Sequence, residues 1–228
     1  MRTLTARDGN DRTRMIGGLA IVAIIGIACL AMASFLRHGL PAGSVLAERM
    51  AFVAAHPIAW PLAWLPWMAS ALGLLLFCIW LREYAPPSPA RVIGVALVGI
   101  GVVPDIAAES LYAFVLPTLA APALAVRYYD IELIATLLTG VLANGAYCLG
   151  GLILNLALFR NPRFPRLIAW AGLPAWLLGL GLSVAVLTGR MQAAMILTAL
   201  SMSLSLAWMF VVAIYVFRFP RRYRWSRA

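Results

Sequence analysis

MIGGLAIVAIIGIACLAMASFL, residues 15–36, runs without a single charge and stops at Arg37 and His38. About 20 apolar residues, rising about 1.5 Å each, cross the roughly 30 Å hydrocarbon core of a bilayer. This stretch is long enough to span a membrane as one helix. Its Ala31-Met32-Ala33 has the small-x-small form of a signal-peptide cleavage site, but a secretory apolar region is usually about 7–15 residues long. The greater length predicts an uncleaved anchor. The rest of the chain has a matching composition. Of its 228 residues 64% are hydrophobic, with a mean hydropathy of +0.93, against about 45–50% apolar in soluble domains. An excess of that size needs lipid as a second solvent.

Working outward, the same criterion predicts five more spans, at 58–81, 92–117, 133–159, 167–188 and 193–217. Trp60, Trp64 and Trp67 open the second span, and Trp80 and Tyr84 close it, as amphipathic aromatics do at headgroup level. Pro61 and Pro66 fall near its first turns, where a missing N–H costs least. The longest connection, 37–57, contains Ser44 as a candidate cap for a short helix carrying Val45, Leu46, Phe52 and Val53, with Glu48 and Arg49 as polar members. About a dozen residues cannot cross, so this helix is expected to lie at the interface. Residues 1–14 are polar and basic without helical periodicity and read as a tail. Residues 118–130 read as a loop, 160–166 (RNPRFPR) as a stop, and 218–228 as an arginine-rich tail. The predicted fold class is an all-α integral membrane protein, a six-transmembrane-helix bundle with a short interfacial helix in the first outer loop.

Charge predicts the orientation. All 18 basic residues are arginine. Lacking lysine, the chain cannot form a Schiff base with a retinal-type chromophore, and this is the arginine-for-lysine bias that a GC-rich bacterial genome produces. Six spans divide the flanks into two alternating sets. One holds Arg2, Arg7, Arg12 and Arg14, then Arg82 and Arg91, then Arg160, Arg163 and Arg166, and finally Arg218, Arg221, Arg222, Arg224 and Arg227. The other holds only Arg37, Arg49, Arg127 and Arg190. Cytoplasmic flanks keep the arginine excess, so both termini are expected in the cytoplasm of a bacterial cell, with the spans in its plasma (inner) membrane. The arginines sit between apolar spans instead of on a soluble module, so nucleic acid is not an expected partner. The expected partners are membrane lipids and either a membrane protein or a second copy of the chain.

The third span carries the chemistry. Residues 92–103 are apolar, but Pro104 and Asp105 follow. A dozen helical residues cover only about 18 Å, so Asp105 and then Glu109 are expected within or just below the outer hydrocarbon boundary. Asp105, Glu109 and Tyr112 are spaced i, i+4, i+7 and share a helix face. Two carboxylates so placed repel if both ionise. They would share a proton, bind a cation or find an arginine. Intramembrane acids often mark proton or substrate paths, and Pro104 is expected to interrupt the helix and free backbone carbonyls. Asp130 and Glu132, at the entrance of the fourth span with Tyr128 and Tyr129, extend this into a candidate acidic vestibule. Asn144 and Tyr147, i and i+3 in the fourth span, complete the candidate proton, ion or substrate site; Asn155 follows as a further interhelical hydrogen-bonding residue. The competing reading gives these groups packing roles: Glu109 snorkels, Asp105 is satisfied by a neighbouring helix, and the asparagines bridge helices at roughly 0.6–2 kcal/mol each.

Other features read as structural. Cys29, Cys78 and Cys148 lie in apolar spans and behave as small hydrophobes. Ala146 and Gly150 make a small-xxx-small pair for close helix packing, and Ser201 and Ser205, which share a face with Trp208, are expected to bond their own helix at i−4. His38, His56 and Glu48 share the first outer loop but match no metal motif. No metalloprotease, nucleophile-elbow or phosphate-loop motif is present, so no catalytic residue, cofactor or metal is expected.

The order of parts resembles an uncharacterised family of bacterial six-transmembrane-helix membrane proteins, a domain of unknown function. The shared features are a long first outer loop, an arginine stop after the second span, an acidic residue in the third (here Glu109), and Phe159-Arg160-Asn161-Pro162-Arg163-Phe164-Pro165-Arg166 leading into Leu167-Ile168-Ala169-Trp170-Ala171-Gly172. Asp105 and the Asp130/Glu132 pair are outside that pattern. The resemblance implies topology and no chemistry. The leading functional expectation is a non-enzymatic structural or accessory membrane component. The first alternative is a small proton-linked transporter or channel using the acids of the third span. A membrane-embedded lipid-modifying enzyme comes last, for want of a nucleophile–base pair.

Overall fold

In hydrocarbon no water can satisfy a backbone N–H or C=O, so a spanning segment must pair them within itself. The computed structural model describes residues 2–41 and 44–225, with side chains from residue 12 onward except at 220 and 221. Part of the predicted first loop (42 and 43) and of the C-terminal tail (226–228, with Arg227) lies outside the described residues. Six helical segments are long and apolar enough to cross a membrane, over 12–34, 59–84, 89–119, 122–158, 166–187 and 191–217. This is an all-α multi-pass membrane protein, and no strand occurs among the described residues.

The elements are α1 (Arg2–Ser34), α2 (Leu46–Ala55), α3 (Ala59–Leu81), α4 (Pro89–Ser110), α5 (Leu116–Leu119), α6 (Ala125–Leu137), α7 (Asn144–Leu158), α8 (Arg166–Leu187), α9 (Met191–Val212) and α10 (Pro220–Tyr223). A π-helical turn, Leu111–Val115, joins α4 to α5; a second, Leu138–Ala143, joins α6 to α7; a third, Ala213–Phe217, prolongs α9. Each span packs along the next, and α9 closes back on α1, so the six spans form a ring in chain order. Phe77, Trp176, Trp208, Met209 and Phe217 fill its interior.

Four sequence expectations are corrected. Residues 2–14, read as a tail, belong to α1. Residues 125–130, read as loop, are the first turns of α6. No glycine or proline lies between 123 and 139 to stop that helix. The fourth segment is accordingly 37 residues long, about 55 Å, so its first turns stand beyond a hydrocarbon core of about 30 Å. Pro104 does not interrupt the third span, because α4 runs through it. Ser44 does not cap α2. Val45 holds the cap position without a side-chain bond, and the Ser44 hydroxyl donates to the Leu40 carbonyl at 3.4 Å.

The two ends of the ring differ. At one end the Arg14 guanidinium grips Glu83 with bonds of 2.8 and 3.0 Å, and Arg224 joins the same carboxylate. Beside them the Asn161 amide donates to the carbonyls of Tyr84 (2.7 Å) and Tyr223 (2.8 Å). These contacts gather the 82–91 and 160–166 linkers, the start of the first span and the C-terminal segment, so the arginine-rich flanks share one end. The other end is covered by α2, which is too short to cross and buries Arg49, Met50 and Val53 against the bundle. Between the ends α4 and α7 approach at Gly94 and Gly150, where a Cβ on Gly150 would sit 2.5 Å from the Gly94 carbonyl oxygen. The predicted Ala146–Gly150 packing stripe meets its partner at this glycine pair.

Candidate functional site

Because α4 is a regular helix as far as Ser110, Asp105 and Glu109 stack one turn apart, and Tyr112 follows at the start of the π turn. All three are buried; Asp105 is 8% exposed and Glu109 2%. The partner face belongs to the fourth segment, where Glu132, Thr136 and Thr139 rise at i, i+4 and i+7. Thr139 lies in the π-helical turn Leu138–Ala143, and its hydroxyl donates to Asp105 Oδ1 at 2.7 Å. The Tyr147 hydroxyl on α7 donates to Asp105 Oδ2 at 3.0 Å. Thr136 donates its single hydroxyl proton to the Glu132 carbonyl at 2.8 Å, so in the 2.7 Å contact with Tyr112 the tyrosine must be the donor.

The result is a polar ladder between α4 and the fourth segment. Asp105–Thr139 and Tyr112–Thr136 are its rungs. Glu109 stands between them, and its Oε2 is buried without a hydrogen-bond partner among the described residues. No cation pairs with Asp105 or Glu109 among the described residues. A buried ionised carboxylate with neither partner nor counter-ion is very costly, whereas its protonated form is a neutral donor. Both rungs use π-helical turns or their immediate neighbours, a backbone irregularity frequent at functional sites.

Glu132 takes a different partner. Arg49 Nε and Nη2 donate to its two oxygens at 2.9 and 2.6 Å, a bidentate pair with both side chains almost wholly buried, and Arg49 Nη1 donates to the Ser44 carbonyl at 2.5 Å. Burial works against the charge on Arg49, but the hydrogen bonds and attraction of Glu132 outweigh it and raise the guanidinium pKa above its usual value. Around the pair, the Trp60 indole donates to the Tyr112 carbonyl at 2.6 Å, Trp64 stacks on Tyr112 at 4.6 Å, and the Tyr128 hydroxyl is buried without a partner.

The other predicted site residues go elsewhere. Asp130 and Tyr129 are exposed on α6, so the acidic vestibule is not assembled as predicted; Glu132 faces inward and is neutralised instead. Asn144 reaches α8, donating to the Gly179 carbonyl at 2.6 Å and Ser183 Oγ at 2.8 Å. Asn155 donates to the Ala169 carbonyl at 2.8 Å. Ser201 bonds the Ala175 carbonyl of α8 at 2.9 Å in place of its own helix. His56 Nδ1 contacts the Phe52 carbonyl at 2.7 Å within an aromatic group that includes His38. Among the described residues no three His, Cys, Asp or Glu side chains gather as a metal site.

Sequence reasoning missed Thr136 and Thr139. The stripe Glu132, Thr136, Thr139, Ala143, Tyr147 was available as a signal, since it repeats at helical spacing through an otherwise apolar span. The pairing of Arg49 with Glu132, 83 residues apart, left none. Comparison of the chain with family models, with curated proteins and with solved structures gave no match.

Proposed function

We propose that this chain is a non-enzymatic multi-pass protein of the bacterial plasma membrane, with both termini cytoplasmic, that works as a small proton-linked transporter or channel. Glu109 is its proton-accepting group and Asp105 its hydrogen-bonded neighbour. The observation that carries the reading is the buried, unpartnered Glu109 Oε2 one turn from a second buried carboxylate. A carboxyl kept only for packing would be bonded, because an unsatisfied buried polar group costs about 1–3 kcal/mol. Cells retain such groups in membranes mainly where protons or substrates pass. The orientation is supported by the arginine excess on one set of flanks, and membership of the bacterial six-helix family by the 159–172 motif.

The test is proton flux. Protein reconstituted in vesicles with an internal pH dye, and energised by a potassium diffusion potential, should acidify the lumen, and Glu109→Gln should abolish the signal. Flux unchanged in Glu109→Gln sinks the proposal. A second reading, a structural or accessory subunit, is favoured by the full satisfaction of Asp105 by Thr139 and Tyr147. It predicts no flux in either protein and loss of partner recovery in Asp105→Asn.

A further inference from the structure

Polar side chains continue from the ladder to one side only. Toward the end where Arg14 and Arg224 meet Glu83, the Tyr147 ring lies over Gly101, where a Cβ would meet it at 2.8 Å, and the Gly94–Gly150 contact brings α4 and α7 backbone to backbone. Val98 and Leu154 complete that seal. Toward the α2 end the polar groups continue, from Asp105 and Glu109 through Tyr112 and Thr136 to Glu132, and there Arg49 closes the series. Arg49 comes from α2, which does not span. Met50 and Val53 anchor the helix by apolar contact, and the Arg49–Glu132 bond ties it to the transmembrane bundle.

We propose that the Arg49–Glu132 ion pair is a latch by which α2 gates Glu109, so that Glu109 meets water from the α2 side of the membrane when the pair parts. The proposal rests on Glu109 being the proton-accepting group. Among the titratable and charged groups, Asp105 on its own helix and Tyr147 on α7 interact with Glu109; Tyr112 on the adjoining π turn and Tyr128 on α6 interact with Glu132 and Arg49, the ion pair beyond. The one titratable group of α3, Cys78, belongs to the other core cluster. Parting the pair leaves Glu132 and the unpartnered Tyr128 hydroxyl to hydrate first, with Thr136 and Tyr112 as the next steps inward.

The test reads accessibility. Full-length protein in vesicles is treated with a membrane-impermeant carbodiimide and an amine, which together convert an accessible protonated carboxyl to an amide, and the Glu109 peptide is followed by mass spectrometry. With wild-type protein, modification is expected only from the α2 face; equal modification from both faces, or reaction from the opposite face, overturns the latch. In the double variant Arg49→Ala/Glu132→Ala, which removes both charges and leaves no large side chain to replace the contact, modification should be at least about tenfold faster, because it follows the open population. An unchanged rate in a double variant that stays monodisperse overturns the latch. Proton flux surviving Glu109→Gln would defeat the proposed function while leaving these rates untouched, so the two failures are distinguishable.

Discussion

Two buried acidic centres lie within a few turns of each other, and they are solved in opposite ways. Glu132 is met by Arg49, a cation delivered by a helix that does not cross the membrane, and both carboxylate oxygens are bonded. Among the described residues Asp105 and Glu109 receive no cation. Asp105 takes two hydroxyl donors and Glu109 Oε2 takes none. Burial is the same; compensation is not. A buried ion pair is costly to part, since breaking it strands a charge. An uncompensated carboxyl can be held neutral and yet exchange its proton, which suits it to a cycle. The difference separates a group that fastens α2 from groups available for chemistry.

The largest expected effect tests the fastened centre. Glu132→Leu leaves Arg49 buried without its partner and should destabilise the protein by about 3–5 kcal/mol, read as thermal unfolding in detergent. Adding Arg49→Leu should recover most of that loss, because two apolar side chains of similar size replace the pair. A double variant as unstable as the single one would show that the site depends on shape and not on charge. The uncompensated centre should behave in the opposite sense. Glu109→Leu removes an unsatisfied polar group and should stabilise by about 1–3 kcal/mol. If it destabilises as Glu132→Leu does, Glu109 has a partner and the contrast fails.

Smaller effects sharpen the picture. Asp105→Asn keeps one acceptor for Thr139 or Tyr147 and should cost about 0.5–1.5 kcal/mol, with Thr139→Val giving a loss of the same size at the other end of the same bond. A double variant of these two, less than additive, would confirm that they share one interaction. The smallest effect belongs to Glu83. Its bonds to Arg14 and Arg224 lie at a partly exposed end, so Glu83→Gln should cost no more than about 1 kcal/mol, and the difference should shrink in high salt.

Much of the fold is legible in the sequence because the bilayer imposes length and charge rules on it. The uncharged run 15–36 and its five counterparts announce six crossings. The arginine alternation implies that the first, third and fifth flanking regions lie on one side with the C-terminal segment, and the contacts of Arg14, Glu83, Asn161 and Tyr223 bring those segments together. The boundaries were less legible. Residues 125–130 are polar enough to read as loop, yet nothing in them stops a helix, and backbone pairing extends α6 through them. Pro104 lacks an N–H but keeps helical φ, and packing of α4 on α7 carries the helix past it. In the site, the shared face of Asp105, Glu109 and Tyr112 follows from spacing within one helix. Tyr147 was named on the next span and Thr139 was within reach of the same argument, while Asp130 and Asn144 were not separable from them by spacing alone.

By itself the sequence determined the solvent, the number of crossings and the presence of acids too deep to be ordinary, since each depends on the order of residues along a single helix and the thickness of hydrocarbon. Only the tertiary structure decided which acid is paired. That choice depends on the rotation of α6, which turns Glu132 inward and Asp130 outward, and on where α2 settles to bring Arg49 within 2.6 Å. Neither is a property of any one segment. Both arise when apolar faces find each other, and the polar side chains are bonded or stranded as that packing dictates.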